Sequence, residues 1–111
     1  MKTLEKIIES ILRNYKRKFK IPIHRNELLA LIKLEYPYKL SDRALRKTVE
    51  NMVKEGGYPI GTSEEGYFWI ENNEDLEKAI RPLEKKALSI LERKKKLVEN
   101  WQKNYQMEFK L

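Results

Sequence analysis

Between Leu40 and Ile70 the chain reads LSDRALRKTVENMVKEGGYPIGTSEEGYFWI, and this run constrains the architecture more than any other. Ser41 suits a helix N-cap, because its hydroxyl can accept from a free backbone N–H of the first turn, and Asp42 suits the positive end of the helix dipole. Leu45, Val49, Met52 and Val53 recur at the spacing of a helix that buries one stripe, leaving Arg43, Arg46, Lys47 and Glu50 outside it. Gly56-Gly57 predicts the helix end, since glycine enters the left-handed region without a Cβ penalty. Tyr58-Pro59-Ile60 and Tyr67-Phe68-Trp69-Ile70 then flank the run from Gly61 to Gly66, the pattern of two strands joined by a turn. Tyr67, Phe68 and Trp69 are expected to alternate between core and surface.

Upstream, Leu4, Ile7, Ile8, Ile11, Leu12, Tyr15 and Phe19 keep helical spacing and predict a helix over residues 4–19. Arg13, Lys16, Arg17 and Lys20 form a basic stripe toward its C-terminal end. Pro22 favours extended backbone, so Ile21-Pro22-Ile23 reads as a short strand or straight connector. Asn26 is the expected cap of a second helix, Glu27 to Leu34, with Leu28, Leu31 and Ile32 inward. Pro37 stops that helix near Glu35, and Tyr36-Pro37-Tyr38-Lys39 is the turn before the third.

The last third differs. Asn72-Asn73-Glu74-Asp75 predicts the start of a helix running nearly to the C-terminus. Leu76, Ile80, Leu83, Ala87, Ile90, Lys94, Leu97, Trp101 and Asn104 alternate spacings of four and three, which is a heptad seam. Ile80, Leu83, Ala87, Ile90, Leu97 and Trp101 are therefore the expected pairing residues, with Lys94 weakening the seam and helping to fix its register. Pro82 lacks a backbone donor and should kink the helix near Ala79–Arg81. Two covers suit such a seam: a second copy of the chain, or the chain's own first helix.

Composition closes off several classes of chemistry. There is no cysteine, so disulfides and thiolate metal sites are excluded. His24 is the single histidine, with no acidic cluster at ligand spacing, so no metal is expected and a locally hydrogen-bonded imidazole is the better reading. The serines lack a nucleophile motif, Glu64-Glu65 lies at a solvated turn, and the glycines form no phosphate-binding loop, so no catalytic residue and no enzymatic role are expected. No stretch approaches the ~20 apolar residues of a membrane span. The charged N-terminus, Met1 to Leu12, is not expected to act as a secretory signal. The formal net charge of +7 favours polyanionic partners. It is spread out, with 14 basic against 10 acidic residues over 1–71 and 10 against 7 over 72–111, so it locates no site.

The order helix, short strand, helix, turn, helix, strand, turn, strand covers residues 1–71. With its capped, arginine-bearing third helix followed at once by GYPIG…GYFWI, it resembles the winged helix-turn-helix DNA-binding proteins. The resemblance implies a mainly α fold with a small β-hairpin (α+β), a DNA-binding domain over residues 1–71 and a dimerising C-terminal helix over 72–111. It implies a third helix in the major groove, where outward arginines can give guanine O6 and N7 two parallel hydrogen bonds. The expected DNA-facing residues are Arg43, Arg46 and Lys47, with Asn51 further along and Ser41, Thr62 and Ser63 completing the set. The acidic tip, Glu64 and Glu65, departs from the usual basic wing and argues against minor-groove insertion. The implied function is sequence-specific binding of double-stranded DNA by a small homodimeric transcriptional regulator of microbial or viral type. It would act in the cytoplasm, that of the host if viral, with no cofactor, membrane or small-molecule ligand. Two alternatives stand beside it: a winged-helix protein-interaction module, and a replication or partition accessory DNA-binding protein.

Overall fold

Thr3 opens the first helix by accepting a hydrogen bond from the Lys6 N–H at 3.3 Å. A computed structural model describes residues 2–105. Its elements are α1 (Leu4–Phe19), α2 (Arg25–Lys33), α3 (Asp42–Lys54), β1 (Ile60–Ser63), β2 (Gly66–Trp69) and α4 (Asn73–Tyr105). The chain is thus mainly helical, with one two-stranded antiparallel hairpin and a long C-terminal helix. The expected continuation of that helix past Tyr105 lies outside the described residues.

In α1, Ile7, Ile8 and Leu12 are fully buried, as the periodicity predicts. Phe19 is not: it ends the helix half-exposed and stacks on Tyr15 at 4.6 Å, because Lys20 turns the chain away in the left-handed conformation. The second helix begins two residues before its expected start. Its cap is His24, whose Nδ1 accepts from the Asn26 N–H at 3.2 Å, the position Asn26 was expected to fill. Leu28 and Ile32 are buried and Leu31 is half-buried.

Ser41 caps α3 as expected, its Oγ accepting from the Ala44 N–H at 3.1 Å. Leu45, Val49 and Met52 enter the core, while Val53 stays half-exposed. Eight residues carry Val53 roughly 80° around the helix from Leu45, onto the edge of the stripe. Gly57 takes φ +73°, and the Tyr58 N–H returns to the Met52 carbonyl at 3.1 Å, closing the helix.

The hairpin is tighter than its sequence suggests. Ile60 pairs with Trp69, Gly61 with Phe68, Thr62 with Tyr67 and Ser63 with Gly66, so only Glu64 and Glu65 remain in the turn. Ser63 Oγ steadies it by accepting from the Glu65 N–H at 3.2 Å. Ile23 adds a third edge through two backbone hydrogen bonds with Tyr67, 2.8 and 2.9 Å long. Gly66 makes this approach possible, since a side chain there would strike the Ile23 carbonyl.

The expected alternation along β2 fails: Tyr67, Phe68 and Trp69 are all buried. Tyr67 and Trp69 join the core formed by α1, α2 and α3. Phe68 covers Gly61 on the partner strand, with the Lys16 ammonium 5.9 Å from its ring centre. The Arg13 guanidinium lies 4.6 Å from the Trp69 ring, so α1 lays two basic side chains over β2 aromatics.

By contacts the chain divides into Met1–Ala79 and Ile80–Leu111, so the opening turns of α4 group with the elements before them. Asn72 caps α4 through the Asp75 N–H at 2.8 Å. In the first unit α4 buries Asp75 and Ala79 while Leu76 stays exposed, so the seam face is not the buried one there. In the second unit the helix is continuous through Pro82, and Leu83, Ile90 and Leu97 are more than half exposed.

Candidate functional site

The stripe that buries Leu45, Val49 and Met52 dictates what α3 shows to solvent. Arg43, Arg46, Lys47 and Asn51 are all exposed. They do not form one cluster. Arg43 and Lys47 occupy the outermost row, shared with the Glu50–Lys54 ion pair at 2.7 Å. That pair holds the Glu50 carboxyl below its ordinary range, through the Lys54 hydrogen bond first and then the Lys54 and Lys47 charges. Arg46 and Asn51 fall on opposite flanks of this row, because five residues turn the helix by roughly 140° beyond one full revolution. Arg46 takes the hairpin side. Asn51 takes the other, lining a shallow depression with Glu5, Glu55 and Tyr58.

On the hairpin side, the starts of α2 and α3 and the hairpin tip enclose a cleft of about 320 Å³. The structure brings Arg46, Thr62 and Ser63 together there. It also adds residues that the sequence did not single out: His24, Arg25 and Tyr67 as site groups, and Asp42 as more than a dipole complement. Asp42 Oδ2 lies 3.8 Å from an Arg25 terminal nitrogen and 4.0 Å from one of Arg46. The Asp42–Arg46 spacing of four was a readable helix pair. Arg25 carried no such signal, since its position depends on where α2 begins. Burial raises the Tyr67 hydroxyl above its ordinary value and the Asp42 charge adds to this, with Arg46 and Arg25 working against them.

Ser41 is exposed, but its oxygen is already engaged with the Ala44 N–H, so it reaches a ligand only by sharing that contact. Glu64 and Glu65 are exposed at the hairpin tip. The basic stripe of α1 is only partly available. Lys16 is held by Asp75 at 2.9 Å, and Arg13 lies 3.6 Å from Glu9 as well as over Trp69.

On α4, Ile80, Leu83, Ala87, Ile90, Leu97 and Trp101 are all exposed, and Trp101 stacks on Tyr105 at 5.9 Å. Lys94 sits exposed in the same row. Among the described residues, no group of three or more His, Asp or Glu side chains is placed to hold a metal ion. Among them, too, no helix is long and apolar enough to cross a membrane. Comparisons with protein-family models, with curated proteins and with solved structures gave no match to this chain.

Proposed function

We propose that this chain is a winged helix-turn-helix protein that binds double-stranded DNA sequence-specifically as a small dimeric transcriptional regulator in the cytoplasm. In this reading α3 is the recognition helix, β1 and β2 form the wing, and α4 joins two copies. The observation that supports it most is the solvent face of α3. Arg43 and Lys47 stand opposite the buried Leu45–Val49–Met52 stripe, and Arg46 flanks them beside Thr62 and Ser63 of the hairpin. A rigid helix offering arginines near its N-terminus suits the major groove, where a guanidinium matches guanine O6 and N7. Thr62 and Ser63 suit a neighbouring phosphate, while Glu64 and Glu65 keep the tip out of the minor groove by charge. A two-fold dimer through α4 would present two such helices to a palindromic site.

Selection of duplexes from a random pool by the full chain, followed by titration of Arg43→Ala, Arg46→Ala and Lys47→Ala, tests the reading. Each arginine change should cost about 1–3 kcal/mol and relax preference at one base pair. Lys47→Ala should weaken binding evenly and lower the salt slope by about 1. Affinity indifferent to all three changes and to salt would remove α3 from the DNA. The exposed carboxylates at the hairpin tip favour a second reading, a protein-interaction winged helix. That module would show no salt-dependent affinity for any duplex. A replication or partition accessory protein would bind DNA without occupying promoters.

A further inference from the structure

We infer that Asp42 and Arg46 together read a single G·C base pair, with Asp42 setting the specificity of the α3 surface. The inference rests on the DNA-binding reading above and adds the base-pair class and a residue that reading leaves unassigned. The two side chains stand one helical turn apart with the Asp42 carboxylate oxygen 4.0 Å from the Arg46 guanidinium, and both are open to solvent. Arg25 of α2 approaches the same oxygen at 3.8 Å. At these separations and exposures the attraction is weak and no direct hydrogen bond forms. Arg46 thus keeps its N–H donors for a ligand while its direction is biased, and Asp42 keeps its acceptors.

A carboxylate offers acceptors only, and a guanidinium donors only. In the major groove a G·C pair shows the guanine O6 and N7 acceptors next to the cytosine N4 amino donor. Arg46 meets the first pattern and Asp42 the second, side by side and in the same order of charge. An A·T pair opposes thymine O4 or adenine N7 to the carboxylate unless the register shifts. Phosphate oxygens are repelled wherever the helix docks out of register, so the same carboxylate weakens nonspecific binding. Asp42 is the N-terminal residue of α3, the end that reaches bases when such a helix docks.

Asp42→Asn keeps the side chain's shape and leaves the Ser41 cap in place, so the fold should be retained, as circular dichroism will show. Binding of the full-length variant is measured on the duplex selected by the wild type, on the same duplex changed at each G·C pair in turn, and on an unrelated duplex across a salt series. The expected result is tighter nonspecific binding with a steeper salt slope. The ratio of specific to nonspecific affinity should fall by roughly tenfold, with discrimination lost at the same G·C pair that Arg46→Ala relaxes. An unchanged ratio, or lost discrimination at any other pair, overturns the inference while leaving DNA binding intact. A wild type that selects no duplex and shows no salt dependence overturns the DNA reading itself and this inference with it.

Discussion

Lys16 and Asp75, separated by 59 positions, meet at 2.9 Å with 12% and 7% of their side chains exposed. Asp75 also accepts from the Glu71 N–H at 3.1 Å, so one carboxylate ties α1 to the start of α4 and satisfies a part-buried backbone N–H just before that helix. The Lys16 ammonium meanwhile lies 5.9 Å from the centre of the Phe68 ring. A residue that looks in the sequence like one more cation of a solvated stripe is a structural tie.

Removing one partner of this pair should be costly. Asp75→Ala leaves a largely buried ammonium and an orphaned Glu71 N–H, and should destabilise the fold by about 3 kcal/mol. Lys16→Met should cost less, since Asp75 retains the Glu71 N–H. Urea denaturation of the two variants orders them, and a loss below about 1 kcal/mol for Asp75→Ala would mean that water replaces the carboxylate.

The same carboxylate gives stability an acid limb. Burial by itself would raise the Asp75 carboxyl, but the Lys16 hydrogen bond, the Glu71 N–H and the charges of Lys16 and Lys78 outweigh it and hold it below the ordinary 3.8. The contribution is therefore fully present above the unfolded-state value and lost as pH falls from there through the lower folded-state value. The gap in urea midpoint between wild type and Asp75→Asn should be widest near pH 6 and narrow below about pH 4. A gap that grows toward acid would mean that folding raises the Asp75 carboxyl instead of lowering it.

Two glycines should separate backbone strain from collision. Gly57 has φ +73° with open space around the missing Cβ, so Gly57→Ala should cost about 1–2 kcal/mol from conformation alone. At Gly66 the Cβ would also land on the Ile23 carbonyl, and Gly66→Ala should cost about 3 kcal/mol or more and break the Ile23–Tyr67 bridge. Amide exchange at Ile23 and Tyr67 reports this directly: it should quicken in Gly66→Ala and be little changed in Gly57→Ala.

The proposed dimer is tested at Ile90, which sits 56% exposed in the middle of the α4 seam. Ile90→Glu would bury one unpaired charge from each copy in a symmetric apolar contact. Sedimentation should show a wild-type dimer and a folded monomeric variant, with duplex affinity falling steeply as two linked half-sites become independent. A wild-type monomer at high micromolar concentration would refute self-association, and global unfolding of the variant would point to the helix covering its own chain.

Much of the fold was legible because local chemistry and tertiary packing agree. Ser41 caps where a serine before an amphipathic run should, and the 3.6-residue period placed Ile7, Ile8, Leu12 and Leu45 inside. The misses share a cause, which is contact from distant residues. Tyr67, Phe68 and Trp69 broke the two-residue alternation because α1 and Gly61 cover what would otherwise be an open face. His24 displaced Asn26 as a cap because its Nδ1 is the acceptor beside the Asn26 N–H where the chain leaves the Ile23 bridge. At the candidate site the exposed α3 residues followed from periodicity, whereas Arg25 joined them only through the packing of α2 beside α3.

The two-residue turn at Glu64-Glu65 also decides where this molecule can change. With Tyr67, Phe68 and Trp69 all buried and Gly66 pinned against Ile23, sequence drift within β2 is closed off. The strands rise only roughly 13 Å, so nothing beyond the tip needs to be rebuilt if residues are added there. Loop closure grows slowly, by about 0.6 kcal/mol for each doubling of length. The tip is accordingly the molecule's graft point, where an inserted tag, fluorophore or basic segment alters what the protein meets without rewriting how it folds.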